Sequence, residues 1–232
     1  MDDASAAARL AAVRADIDKA ARLAGRKAEE VTLIAVSKTH SPEAIEPLIR
    51  AGQRDFGENR VQEAASKWPE LRARHADLRL HLVGQLQSNK ARDAVDLFDT
   101  IHSVDRPFLV GALVKAMAAT GRRPDCFVQV NIGDEPQKGG CLVAELPALL
   151  DQCRAAELPI VGLMCVPPEG VEAAPYFALL AKLARRHALP ALSMGMSSDY
   201  PTAVMTGATH VRVGTALFGE RGRAVQARTR VG

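Results

Sequence analysis

One lysine in this chain is placed for covalent chemistry. Lys38 follows Val31-Thr-Leu-Ile-Ala-Val-Ser37, a short apolar run with the character of a buried parallel strand, so it stands where a strand hands over to a loop. A stem held among Leu33, Ala35 and Val36 desolvates the ammonium, lowers its pKa and leaves a neutral amine able to attack an aldehyde. Schiff-base chemistry is the first expectation. The competing reading is a lysine that only snorkels from a strand end to water.

The far end of the chain weighs on that choice. It reads Leu192-Ser-Met-Gly-Met-Ser-Ser-Asp199 and then Gly207-Ala-Thr-His-Val-Arg-Val-Gly-Thr-Ala-Leu-Phe-Gly219, two strand-like segments each running into a small-residue turn. Backbone amides in such turns form a concave anion site, and the hydroxyls of Ser197 and Thr215 add donors, so a phosphate is the expected guest. Glycines that serve only tight turns are the alternative. Two adjacent turns with Arg212 on the strand between them favour the anion site.

These residues need a scaffold. The 232 residues contain no linker-like break in composition, which predicts one domain over 1–232, with residues 1–28 as a helix packed on it. A formal net charge of +3, dispersed along the chain, argues against nucleic acid as a partner. The Arg-rich stretches Arg72 to Arg79 and Arg221 to Arg230 read as solvated faces. No apolar run approaches the ~20 residues of a membrane span. The opening Met1-Asp-Asp is not a secretory leader, so a cytoplasmic protein is expected. Cys126, Cys141, Cys153 and Cys165 lack Cys-x-x-Cys spacing, and His40, His75, His81, His102, His187 and His210 lack metal-site spacing. Reduced thiols and no metal are expected.

Leu10, Val13 and Ile17 recur at helical steps within residues 5–24, giving one amphipathic helix. Strand-like runs follow at 31–37, 54–57, 80–84, 99–102, 126–131, 160–164, 191–193 and 209–213. Helical patterns fit between them at 42–51, 59–75, 88–96, 106–120, 142–156, 171–187 and 199–206. This alternation predicts an α/β fold, a single (β/α)8 TIM-type barrel with an extra N-terminal helix; an open doubly wound sheet competes with it. Lys38-Thr39-His40, rather than Gly-x-Gly-x-x-Gly, follows the first strand, which suits a barrel whose site forms at the C-terminal rim.

The chain resembles the pyridoxal phosphate homeostasis protein family, related to the N-terminal barrel of alanine racemase. The resemblance spans nearly the whole chain. It rests on Ala35-Val-Ser-Lys-Thr39, Phe56-Gly-Glu-Asn-Arg-Val-Gln-Glu63, His81-Leu-Val-Gly-Gln-Leu-Gln-Ser-Asn-Lys90, Val130-Asn131, Gly162-Leu-Met164, Leu192-Ser-Met-Gly-Met-Ser197 and Val211-Arg-Val-Gly-Thr-Ala-Leu-Phe-Gly219. It implies a (β/α)8 barrel binding pyridoxal 5′-phosphate as a Lys38 aldimine, with Ser197, Gly214 and Thr215 at the phosphate and Arg212 at the pyridine nitrogen. Arginine keeps its proton, so Arg212 would donate to that nitrogen and leave the ring a poor electron sink.

Asn59 and His81 fall within family motifs and are assigned to orienting the ring or the lysine. Asn59 could instead cap the following helix, and His81 could be a hydrogen-bonded histidine facing a helix. Asn89, Lys90 and Arg92 read as solvated, and Met164, Met194 and Met196 as core or pocket wall. Two loops depart from the family pattern: Val83-Gly-Gln85-Leu-Gln87 stands where Ile-Gly-Pro-Leu-Gln or Ile-Gly-His-Leu-Gln is expected, and Lys138-Gly139-Gly140 where Lys-x-Gly is expected.

The resemblance implies a carrier rather than an enzyme, with no catalytic residue assigned. Alanine racemases take a second base, a tyrosine, from an additional β domain for which a chain ending at Gly232 has no room, and Tyr176 and Tyr200 lie outside the motifs. The expected role is intracellular homeostasis of vitamin B6 and amino-acid pools, with pyridoxal-phosphate-dependent apoenzymes as candidate partners and a monomeric state. A weak alanine-racemase-like or transaminase activity, and a lysine Schiff-base aldolase on the same fold, are the alternatives.

Overall fold

Strands that alternate in parity between helices and a closed interior explain most of this sequence. The structure, a computed structural model, describes residues 2–219. The strands are β1 (Thr32–Val36), β2 (Asp55–Glu58), β3 (Arg79–Leu82), β4 (Thr100–Val104), β5 (Asp125–Asn131), β6 (Cys141–Leu142), β7 (Ile160–Cys165), β8 (Ala191–Ser193) and β9 (His210–Val213). The helices are α1 (Asp3–Leu23), α2 (Pro42–Arg50), α3 (Val61–Arg74), α4 (Ala91–Leu97), α5 (Pro107–Thr120), α6 (Leu146–Ala155), α7 (Ala174–Arg186), α8 (Tyr200–Met205) and α9 (Thr215–Phe218).

All strand pairings are parallel, and they run β4-β3-β2-β1-β9-β8-β7-β5. A further pairing of β5 with β4, Thr100 opposite Asp125, closes the ring, so the chain is a TIM barrel and not an open sheet. The short β6 adds to the upper end of β5, Val130 opposite Cys141, beyond the last β4 partner at Val128.

Side chains alternate faces along a strand. Leu33 and Ala35, Leu80 and Leu82, Val128 and Val130, and Val211 and Val213 all join one continuous core with the helices. The opposite parity turns into the bore, and there the chain places polar groups: Asp55, His81, His102, Gln129, Ser193 and Arg212 are all buried. Barrel bores are more often filled by branched aliphatics.

Helix α1 buries Ala6, Leu10, Val13, Ile17, Ala20 and Ala21 along one stripe and starts from Asp2, whose side chain accepts from Ser5 N. It packs on α2, α8 and α9. Polar ties fix its angle: Tyr200 Oη donates to Asp16 at 2.7 Å, and Arg14 donates to the carbonyl of Gly52 at 3.1 Å. Each of Leu10, Val13 and Ile17 contributes about 1.5–3 kcal/mol by leaving water.

Several element boundaries differ from expectation. The helix expected over 142–156 begins at Leu146, because Cys141–Leu142 are drawn into β6 and Pro147 falls in the first helical turn, the position proline tolerates. The segment expected as one helix over 88–96 opens with a 3-10 turn, Ser88–Lys90, before α4. The short α9 has no counterpart among the expected elements. The stretch Arg221 to Arg230 lies outside the described residues, whereas in Arg72–Arg79 the side chain of Arg72 is only 22% exposed and paired with Asp99. No helix among the described residues is long and apolar enough to cross a membrane.

Candidate functional site

The chain leaves β1 at Val36 and turns sharply over the rim through Ser37–His40. Thr39 takes φ +65°, a left-handed conformation uncommon for a β-branched residue, so the turn needs external support. It has that support. Ser37 N donates to the Gly57 carbonyl at 2.9 Å and Ser37 Oγ to Glu58 Oε1 at 2.6 Å. Lys67 Nζ donates to the carbonyls of Ser37 and His40, each at 3.0 Å, and Thr39 N donates to Glu63 Oε1 at 2.5 Å. The His40 ring stacks on Phe218 at 4.2 Å.

Lys38 stands at the crest of this turn. It is exposed, so the expected enclosure of its stem by Leu33, Ala35 and Val36 does not hold. Leu33 and Ala35 point outward into the helix-packed core, while the lysine belongs to the turn above the strand.

A cavity of about 450 Å³ opens at this rim, lined by Val36, Lys38, Asn59, Val83, Val166, Met196, Ser197, Ser198, Arg212, Gly214 and Thr215. Six of the seven predicted site residues meet here: Lys38, Asn59, Ser197, Arg212, Gly214 and Thr215. The two small-residue turns are bonded to each other, Gly214 N donating to Ser197 Oγ at 3.1 Å. The turn after β8 needs Gly195, at φ +94°, because a Cβ there would come within 2.5 Å of Ala203 Cβ. Asn59 is fixed from behind by Gly84, whose missing Cβ would lie 2.3 Å from the Asn59 carbonyl oxygen. The N-cap position of α3 falls to Arg60, so Asn59 is not the helix cap.

Arg212 is buried beneath the cavity floor. Nη1 donates to Ser193 Oγ at 2.7 Å and Nη2 to the Cys165 carbonyl at 2.9 Å, and burial pulls its pKa below the usual arginine value. His81 is the seventh predicted residue, and it does not line the cavity. It lies in the bore, with Nε2 3.1 Å from Asp55 Oδ1 and Nδ1 3.0 Å from His102 Nε2. The parity of β3 turns it inward instead of up to the rim or out to a helix.

Val36, Val83, Val166 and Ser198 were not anticipated as lining residues, nor Glu58, Glu63 and Lys67 as supports. The Glu63–Lys67 pair, four apart on α3, carried a readable signal, since that spacing places both on one helix face. Met196 joins the cavity wall, and Met164 and Met194 are buried. Lys90 lines a neighbouring cleft of about 640 Å³ that shares Asn59.

Among the described residues around the cavity, Lys38 and Arg212 are cationic and none is anionic. Hydroxyls and a glycine turn stand at one end, apolar walls of Val36, Val83, Val166 and Met196 between. The volume lies within the usual range for small-molecule pockets. Such a donor set suits a small, flat carbonyl compound carrying an anionic group.

The class of protein is that of the alanine racemase N-terminal domain, whose family model matches residues 8–222. The pyridoxal phosphate homeostasis protein of Pseudomonas aeruginosa is 42% identical over 220 residues, 91% of this chain and 94% of that one. Its Escherichia coli K12 namesake is 40% identical over 226 residues, 91% of this chain and 95% of that one. The solved structure of PipY from Synechococcus elongatus with pyridoxal phosphate bound superposes with a TM-score of 0.79 at 43% identity, covering 92% of this chain and all of that one (100%). The chain belongs to the pyridoxal phosphate homeostasis protein family.

Proposed function

We propose that the protein binds pyridoxal 5′-phosphate through Lys38 and takes part in cofactor homeostasis, holding the cofactor without efficient turnover. The observation that carries this reading is the convergence of Lys38, Arg212 and the Ser197–Gly214–Thr215 turns on one cavity with no carboxylate among its described lining residues. That donor set fits the group: cationic and hydroxyl donors for a phosphomonoester of about −1.5 to −2 charges, apolar walls for a pyridine ring, and an amine for an aldehyde. Bound, the cofactor supplies that aldehyde and, in enzymes, an electron sink.

The chain's own residues then divide the work. Ser197, Thr215 and the Gly214 turn would hold the phosphate, Lys38 would supply the amine that faces the aldehyde, and Asn59 would orient the ring. Arg212 would donate to the ring nitrogen and, because it keeps its own proton, would hold that nitrogen from accepting one. Racemisation also needs a base on each face of the ring, and among the described lining residues there is no tyrosine, histidine or carboxylate. Tyr200 is occupied elsewhere, its hydroxyl on Asp16. Apoenzymes that require the cofactor are the proposed recipients, and a cytoplasmic monomer is the proposed state.

Borohydride reduction of protein mixed with pyridoxal phosphate, followed by peptide mapping, should place the pyridoxyl group on the peptide containing Ala35 to Thr39. Labelling only at another lysine overturns the assignment. Lys38-dependent alanine racemisation at about 1–10³ per second, the ordinary enzymatic range, overturns the carrier reading.

A further inference from the structure

Arg212 is 5% exposed, and among the described residues no carboxylate forms an ion pair with its guanidinium. Its nearest polar partner, Ser193 Oγ, leads into a continuous line of buried groups across the bore. Ser193 Oγ is 2.8 Å from His102 Nδ1, His102 Nε2 is 3.0 Å from His81 Nδ1, and His81 Nε2 is 3.1 Å from Asp55 Oδ1. Asp55 in turn pairs with Arg79 Nε at 3.0 Å. Strands β9, β8, β4, β3 and β2 each contribute one residue, so the line joins the cavity floor to the opposite end of the barrel.

The two ends fix the direction of every proton. Arg212 can only donate, and an ionised Asp55 can only accept. Ser193 Oγ accepts from Arg212, so its own hydroxyl proton needs an acceptor, and His102 Nδ1 is the one within reach. That leaves the His102 proton on Nε2, donated to His81 Nδ1, and the His81 proton on Nε2, donated to Asp55. In the reversed order, Arg212 and His102 would both aim protons at Ser193 Oγ, leaving the serine proton without an acceptor among the bonded partners of that oxygen, and a second cation would sit in the bore with Arg212. Burial is the leading reason that His102 is held well below the ordinary histidine value, and the fixed charge of Arg212 acts in the same direction. Burial opposes ionisation of Asp55, but its pKa stays below the ordinary value, with the hydrogen bond from His81 and the Arg79 guanidinium favouring the carboxylate.

We propose that Ser193, His102, His81 and Asp55 form a one-way proton-ordered relay that acts as the positioning device for Arg212, keeping both histidines neutral and presenting the guanidinium's remaining N–H groups to the cavity. The inference deepens the cofactor-binding reading and rests on Arg212 facing the ring. His81 therefore serves the site from a distance, through Arg212.

The relay can be tested on wild-type protein without cofactor. In ¹⁵N-histidine-labelled protein at pH 7, with His102 assigned through its stacking on Phe127 at 4.5 Å, both rings should be neutral and protonated on Nε2. A proton on Nδ1 of either ring overturns the proposed order. In Asp55→Asn the terminal group can donate as well as accept, so the tautomer balance should shift at His102, one ring beyond the site of substitution; an unchanged His102 overturns the coupling. Ser193→Ala should raise the dissociation constant for pyridoxal phosphate about tenfold, the worth of one hydrogen bond to a charged group, and Ser193→Thr should restore it. An unchanged constant in Ser193→Ala overturns the positioning role. Wild-type protein that fails to bind pyridoxal phosphate would instead refute the functional reading, leaving the tautomers as a separate result.

Discussion

Lys67 Nζ lies 2.9 Å from Glu58 Oε1 directly beneath the turn that carries Lys38, and the two side chains are 6% and 0% exposed. The same ammonium grips the carbonyls on either side of Lys38 and Thr39, while Glu58 also accepts from Ser37 Oγ and from Trp68 Nε1 at 3.0 Å. Burial pushes the Glu58 carboxyl above the ordinary glutamate value, against these three donors. Lys38 is thus held by a second lysine, Lys67, that is not among the residues lining the cavity.

Lys67→Ala should therefore destabilise the fold severely. Removing one member of a buried pair leaves the other uncompensated, at a cost of about 3–5 kcal/mol, readable as a lower urea midpoint. Lys67→Met combined with Glu58→Gln removes both charges and should recover part of that loss. Equal midpoints for wild type and Lys67→Ala would show that the pair contributes nothing.

Stability should fall between neutral pH and about pH 4. His210 is held neutral, its pKa pulled from 6.5 to about 4 chiefly by burial. The unfolded chain takes up a proton first as the pH drops through 6.5, so the stabilisation is full above that value and is lost down to about 4. For His210 alone the lost contribution is on the order of 3 kcal/mol; His102, lowered for the same leading reason, adds in the same direction. Urea titrations at a series of pH values check this, and His210→Asn should flatten the slope.

The loops that carry Gln85 and Gly139 meet in space. Gln85 Nε2 donates to Gln129 Oε1 at 2.9 Å, Gln129 Nε2 donates to the Gly139 carbonyl at 3.0 Å, and a Cβ on Gly139 would lie 1.8 Å from Gln85 Nε2. Gly139→Ala should push the Gln85 amide off Gln129, at a cost of about 1 kcal/mol. In Gln85→Ala the same change should cost less. Additive free energies in that double-mutant cycle would show the loops to be independent.

Phosphate recognition should be separable from aldehyde recognition. Ser197→Ala should weaken pyridoxal phosphate binding by about tenfold, as expected for one bond to a charged group, and leave pyridoxal binding nearly unchanged. An equal loss for both aldehydes would place Ser197 away from the phosphate.

The barrel was legible because local rules write it. Leu33 and Ala35, or Val211 and Val213, announce a strand face packed on helices; Lys38 at a strand end and Ser197 and Thr215 in small-residue turns announce a rim site. Those patterns act over a few residues, and together with the family motif that singled out Asn59 they named six residues that line one cavity. His81 shows the limit: its motif suggested the rim, but strand parity and barrel closure turned it toward Asp55 and His102, 26 and 21 residues away in the chain. The Glu58–Lys67 clamp, the meeting of Gln85 with Gly139 and the line from Arg212 to Asp55 were likewise decided only by the tertiary structure. A buried polar group takes whichever partner closure brings within about 3 Å, and sequence separation does not encode that distance.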